Sequence, residues 1–332
     1  MTMMKKIRYI VLATLLTFGV SQIVAQDFIL SQPWAATTYI APSFAGYTGG
    51  GRVYATYRNQ WSSIKGSQTG LVNYDQYFYK IQSSFGANLN YTSYASGVLS
   101  QLQFNLQYNY NVKMTKDWYF RPGLQLSIFY RTMDPSRLTF MDQISVDGAV
   151  IGSTSFKPVT TSLVRFDAAV SIMFTGPYFF GGVCADRLLG NNISFTDMPE
   201  TKENLKLNVF AGGMIPVTEG SGKYDSRDNV TIAALYQWQG QYHQIDLDAM
   251  YSRKYFMIGI GYRGIPFYSP DGYTSSDALK IMIGGSYAGF TLSYSYDIGL
   301  SKLINVSGGS HEIVLSYRFM EYRPNDRRFF CY

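Results

Sequence analysis

From Val53 to Phe319 the chain repeatedly alternates apolar and polar residues with a period of two. Successive side chains of a strand point to opposite faces, so this period predicts β-strands with one apolar and one polar face. The cleanest example is 102–112. There Leu102, Phe104, Leu106, Tyr108, Tyr110 and Val112 alternate with Gln103, Asn105, Gln107, Asn109 and Asn111. A hairpin closes the series: Leu292, Tyr294, Tyr296, Ile298 and Leu300, then His311, Ile313, Leu315, Tyr317 and Phe319, with Ser310, Glu312, Ser316 and Arg318 on the opposite face. Similar runs begin near Val53, Phe85, Trp118, Phe166, Tyr178, Leu205, Val230, Tyr242, Phe256 and Leu279, and a mixed, weaker one covers 68–78. The total is about fourteen strands. Ahead of them, 27–51 holds Pro33, Pro42 and several glycines without any period, and reads as an irregular segment.

Two architectures accept such strands. In a soluble sandwich the apolar faces would meet in a core; in an outer-membrane barrel they face lipid and the polar faces line a lumen. Five amides along one strand face would be costly in a dry core and cost little against a wet lumen. The count is even, as in bacterial single-chain barrels. Short connections (115–117, 176–177, 252–254, 288–289) tend to alternate with long ones (132–164, 190–203, 265–276, 301–309), the pattern of periplasmic turns and outer loops. The long 216–229 and the tight 239–241 depart from it. Several apolar faces end in Trp, Tyr or Phe, as interfacial belts do. The pattern therefore predicts an all-β transmembrane barrel of about 14 antiparallel strands in the outer membrane, with a soluble multi-sheet protein as the alternative.

The amino-terminal stretch supports export. Lys5, Lys6 and Arg8 precede an apolar run to Val20 that is too short for a comfortable span, and Ile23-Val24-Ala25 suits cleavage before Gln26. The expected organisation is a signal at 1–25, an irregular segment at 26–51, a barrel at 52–320 and a periplasmic tail at 321–332. Removing the signal takes the formal net charge from +6 to +3, too small a bias for a nucleic-acid partner. With 29 Tyr, 22 Phe and only 15% charged residues, the composition suits a barrel better than a soluble enzyme.

Chemistry-bearing motifs are sparse. The two histidines, His243 and His311, lie near neither cysteine, no phosphate-binding loop follows Gly49-Gly50-Gly51, and neither catalytic nor cofactor-binding residues are assigned. Cys184 and Cys331 could pair or stay apart. Asp246 and Asp248 share a strand face at a spacing that could hold a cation, although such a pair more often belongs to a solvated face. The inward faces carry Arg58, Arg121, Arg131, Lys206, Arg263, Lys280 and Arg318 against Asp167, Asp246, Asp248, Asp297 and Glu312. Mixed signs allow ion pairs across the lumen, which would make it a partly filled network; a generic hydrated lumen with no specific role is the equal alternative.

Several blocks together resemble the PorP/SprF family of outer-membrane proteins associated with type IX secretion and gliding. They are Asp27-to-Gly46 with its Ser31-Gln32 and Pro42-to-Gly46 elements, Tyr57-Arg58-Asn59-Gln60-Trp61, Met133-to-Ile144, and the hairpin Ser295-to-Phe319, with Cys331 near the end. In the first block Ala41 and Ser43 replace the usual Asn and Ala. The resemblance implies a non-enzymatic barrel working with membrane lipid around it, other type IX components, and one large secreted or cell-surface partner, often an adhesin bearing a type IX C-terminal signal. Arg58, Gln60, Trp61, Asp297, Ser310, His311 and Glu312 stand in the matched blocks, where a structural role such as a lumen ion pair for Arg58 is expected. Asp134, Arg137, Phe140, Met141, Asp142 and Gln143 occupy a long outer loop that mixes apolar and charged residues, as a partner surface does. A passive channel or hydrophobic-ligand transporter is the competing function, and a soluble adhesin-like β-domain a third.

Overall fold

The computed structural model describes residues 27–64, 66–144, 150, 152, 154, 160–195, 202–217, 228–265, 276–300 and 307–319. The expected signal and its cleavage point, the 321–332 tail, and Cys331 lie outside the described residues.

Fourteen long strands follow one another around a single antiparallel sheet. They are β1 (Gly51–Gln60), β2 (Ser67–Phe78), β3 (Ser83–Tyr94), β4 (Leu99–Tyr110), β5 (Tyr119–Met133), β6 (Ser162–Thr175) and β7 (Phe179–Asp186). The second half comprises β8 (Lys206–Pro216), β9 (Asp228–Gln239), β10 (Tyr242–Arg253), β11 (Phe256–Gly264), β12 (Ser276–Tyr287), β13 (Phe290–Gly299) and β14 (Ser310–Phe319). Each pairs with its sequence neighbours, and β1 pairs with β14, so the sheet closes into a barrel with no free edge. Among the described residues no helix is long and apolar enough to cross a membrane.

The period-two faces fall as the sequence pattern predicts. Leu106, Ile260 and Phe166 point outward at 52%, 67% and 62% exposure, while Asn105, Lys280 and Asp167 point inward and are buried. An apolar outer band that wide is stable against lipid and not against water. Boundaries differ at a few places. The run that begins near Tyr178 ends as a strand at Asp186, because Arg187 adopts φ +62, outside the strand region. Between β4 and β5 the ladder breaks after Asn109–Gly123 and resumes in a two-residue strand, Val112–Lys113, paired to Phe120 and Tyr119. The break falls opposite Pro122, which has no N–H to donate.

Gly51 and Phe319 lie together at one end of the barrel, with the short connections 79–82, 176–178, 254–255 and 288–289. The opposite end carries the long connections 134–161, 187–205, 265–275 and 300–309. By the rule that periplasmic turns are short, the loop end faces outward. The connections 217–227 and 240–241 keep their unusual lengths.

Candidate functional site: a filled lumen and its outer mouth

The lumen is not a water-filled channel. Residues 27–50 run through it from the loop end to the turn end, and nearly all are buried. This segment has only two single-turn 3-10 helices, Thr37–Tyr39 and Pro42–Phe44, so its backbone needs hydrogen-bond partners from elsewhere. The inward polar faces of the strands supply them.

At the loop end Asp27 pairs with Arg187 at 2.9 Å and with Lys206 at 3.5 Å. Arg187 also lies over the Phe129 ring at 4.1 Å and reaches Glu203, which Arg131 contacts at 2.6 Å. Farther in, the two Glu312 oxygens accept the N–H groups of Ser31 (2.6 Å) and Gln32 (2.9 Å). Arg58 bridges Asp297 (3.0 Å) and Glu312 (3.5 Å) and donates to the Ser31 hydroxyl. Arg263 joins Asp246 and Asp297 and donates to the Leu30 carbonyl. Lys280 sits between Asp246 (2.9 Å) and Asp248 (2.7 Å), and Trp34 Nε1 donates to Asp248 at 3.0 Å. The pair read as a possible cation site is thus already occupied by an ammonium and an indole. Among the described residues no cluster of His, Cys, Asp and Glu could hold a metal.

On the other side Arg52 pairs with Asp75 and donates to Thr37 and to the Ala35 carbonyl. Gln107 donates to the Thr38 carbonyl (2.9 Å), Asn208 to Ile40 (2.8 Å), and Asn109 and Arg121 to Ala45 (2.6 and 2.8 Å). The β4 amides therefore find partners in a dry interior: Asn105 donates to Asn88, and Gln107 to Gln125. At the turn end Gly46, at φ +62, donates to Asp75. A Cβ on Gly46 would stand 2.5 Å from Ser84 Oγ, so both its conformation and its lack of a side chain are required.

Part of the remaining arc of wall is apolar inside as well as outside. Trp34, Ile40, Ala41, Phe44 and Tyr47 pack on Ala169, Met173, Phe180, Cys184, Phe210, Ala233 and Leu235 from β6 to β9. Phe44 lies 5.0 Å from the Phe210 ring and 5.5 Å from that of Phe180. Opposite, Phe28, Leu30 and Ala36 pack on Tyr54 and Leu71. The sequence held a signal for this filling. Beside polar residues such as Asp167, Ser171 and Asn208, the inward faces of β6–β9 carry Met173, Phe180, Phe210 and Leu235, and a lumen wall needs large apolar residues only if something dry covers them. Arg52, Asp75, Arg187 and Glu203 were missed as lumen charges, since Arg52 precedes the alternating run that begins at Val53, β2 with Asp75 alternates poorly, and the last two lie beyond strand ends.

Of the residues in the matched blocks, Arg58, Asp297 and Glu312 meet at the filling segment. Ser310 is buried, in register with Gln60 and Asp297 at the loop end. Gln60 and Trp61 lie at the mouth, Trp61 at φ +56. His311 faces outward, its Nδ1 2.7 Å from the Tyr294 hydroxyl. The outer-loop residues stand apart from the lumen. Asp134 accepts from the Ser136 hydroxyl, and this bond together with Arg137 at 2.9 Å lowers its pKa. Arg137 also donates to the Ser96 carbonyl, tying the loop to the β3–β4 connection. Gln143 accepts from Phe140 N–H, and Asp142 from Thr154; Met141 begins the 3-10 turn Met141–Gln143. Residues 145–149 and 155–159 of this loop lie outside the described residues.

Among solved structures the chain is similar to the Ralstonia pickettii toluene transporter TbuX, at 9% identity over 86% of this chain and 94% of that one, with a TM-score of 0.48. It is similar also to the Pseudomonas putida toluene transporter TodX, at 9% identity over 90% and 96% with a TM-score of 0.48. The Acinetobacter baumannii outer membrane protein Omp33 gives 8% over 81% and 98%, and 0.43. At these values nothing of their activity is carried over. No curated protein matches the chain. The family model described as type IX secretion system membrane protein PorP/SprF matches residues 23–317, which include all fourteen strands except the last two residues of β14. The chain therefore belongs to the PorP/SprF family of type IX secretion system membrane proteins, and is an outer-membrane β-barrel.

Proposed function

We propose that this barrel is a non-enzymatic accessory of type IX secretion that supports the export or surface retention of one large partner, such as an adhesin with a type IX C-terminal signal. The observation that carries the reading is the filled lumen. Residues 27–50 occupy the space a solute would cross, bonded to polar side chains on one arc and packed on apolar ones on the other. A passive channel needs a hydrated path, whereas a partner-binding barrel needs only a rigid wall that holds its outer loops. The outer loop with Asp134, Arg137, Phe140, Met141, Asp142 and Gln143 is the surface we assign to the partner, since it combines apolar and charged groups on a frame fixed by Arg137 and Ser96.

Quantitative comparison of surface and culture-fluid proteins in a deletion strain tests this. One large exported protein should leave the surface while general secretion continues and small-solute uptake is unchanged. An unaltered exported proteome with impaired uptake would overturn the reading in favour of a channel.

A further inference from the structure

Inside the lumen the chain runs opposite to β1. Asp27 is held at the loop end by Arg187, which follows β7, by Lys206, which opens β8, and by Gln239, which closes β9. At the turn end the Gly50 carbonyl accepts the Tyr77 N–H at 2.9 Å, and β1 begins at the next residue. The chain has thus crossed the barrel once through its interior before crossing again in the wall.

We infer that Asp27, Phe28 and Ile29 belong to the cell-surface face of the protein, at the outer mouth of the lumen. Beneath them the lumen is packed toward the periplasm by Trp34, Phe44, Phe180 and Phe210, each at most 2% exposed. The way outward is open. Asp27, Phe28 and Ile29 line a cavity of about 570 Å3 at the mouth, walled by Trp61, Ile64 and Tyr94, of which Trp61 and Ile64 are exposed. The same cavity reaches Ser96, the residue that holds Arg137 of the outer loop. The end of β14 lies at the opposite end, beside Gly51. Asp27 and Phe319 therefore lie at opposite ends of the barrel. The inference is independent of which partner the barrel serves; it depends on the lumen path and on the loop end facing out.

Surface accessibility in intact cells decides it. In a Cys331→Ser background, single cysteines are placed as Ile29→Cys, as Leu138→Cys on the exposed outer loop, and as Lys116→Cys on an exposed short turn. The cells are treated with a membrane-impermeant maleimide, with the parent carrying buried Cys184 as the blank. A second form carries a short epitope inserted between Gln26 and Asp27, probed with antibody. Heat-modifiable migration confirms that each form is folded. We expect label on Ile29→Cys and Leu138→Cys, and antibody on the epitope form, without permeabilisation, and label on Lys116→Cys only after it. If Ile29→Cys takes no label but the epitope is reached in intact cells, the inference stands. An epitope reached only after permeabilisation overturns it, as does label on Lys116→Cys but not Leu138→Cys in intact cells.

Discussion

Glu312 is the residue on which wall and filling segment meet. Its carboxylate takes two backbone N–H groups from Ser31 and Gln32 and faces Arg58, its register partner across the β1–β14 seam, with none of it exposed. Removing one member of a buried pair leaves the other charge short of compensation, which costs about 3–5 kcal/mol. Glu312→Ala should therefore lower the thermal unfolding midpoint in detergent sharply, and Glu312→Gln less so, because the amide oxygen still accepts. Arg137→Ala is the contrast. Its pair with Asp134 is 55% and 41% exposed and screened by solvent, so its loss should leave the midpoint almost unchanged. Equal midpoints for Glu312→Ala and Arg137→Ala would show that the carboxylate does not hold the segment. At this scale the sequence revealed which way Arg58 and Glu312 point, since alternation sets the face. It could not reveal that they are neighbours, because their contact exists only once the first and last strands pair.

Strands were the most legible elements, and the physical reason is the membrane. Lipid on one side and a polar interior on the other enforce alternation along β4, β5 and β13 with few exceptions. Where the outward side is interrupted by Gly70 and Gln76, as in β2, the pattern blurred and Arg52–Asp75 was overlooked. The filling segment was illegible as an element, because its prolines and glycines form no repeating face and its order comes from the wall. Depth along a strand gives a test of the lipid-facing assignment. Leu106 lies within β4 and is 52% exposed, whereas Val112 lies beyond its end toward the turns. Leu106→Arg should cost ~2–4 kcal/mol and Val112→Arg ~0–1, as expected near mid-bilayer and interface. Folding yields in liposomes would report the difference; equal yields would contradict the placement of β4. The lumen side offers no lenient comparison, because Asn105 is hydrogen-bonded to Gln103 and Asn88.

For the whole molecule, the sequence disclosed a closed barrel, its strand number and its loop asymmetry, and left open whether anything filled it. The filling depends on shape as much as on bonding, and Gly123 shows why. This glycine faces inward from β5, and a Cβ there would lie 2.5 Å from Ser43 N and 2.9 Å from the Pro42 carbonyl carbon. The wall cannot give way, since β5 is paired along both edges to β4 and β6. A leucine at this position and the Pro42–Ser43 turn cannot share the space, so Gly123→Leu should displace the segment while leaving the strands paired. The bond from Ser43 N to Ser171 would be lost first, then the Asn109 and Arg121 contacts to Ala45. Planar-bilayer recordings should then show no steady conductance for the unchanged protein and frequent opening for Gly123→Leu. Gly70→Ala, where a Cβ meets nothing within 4 Å, should behave as the unchanged protein does. A folded Gly123→Leu barrel that stays closed would mean that residues 27–50 are not what seals the lumen.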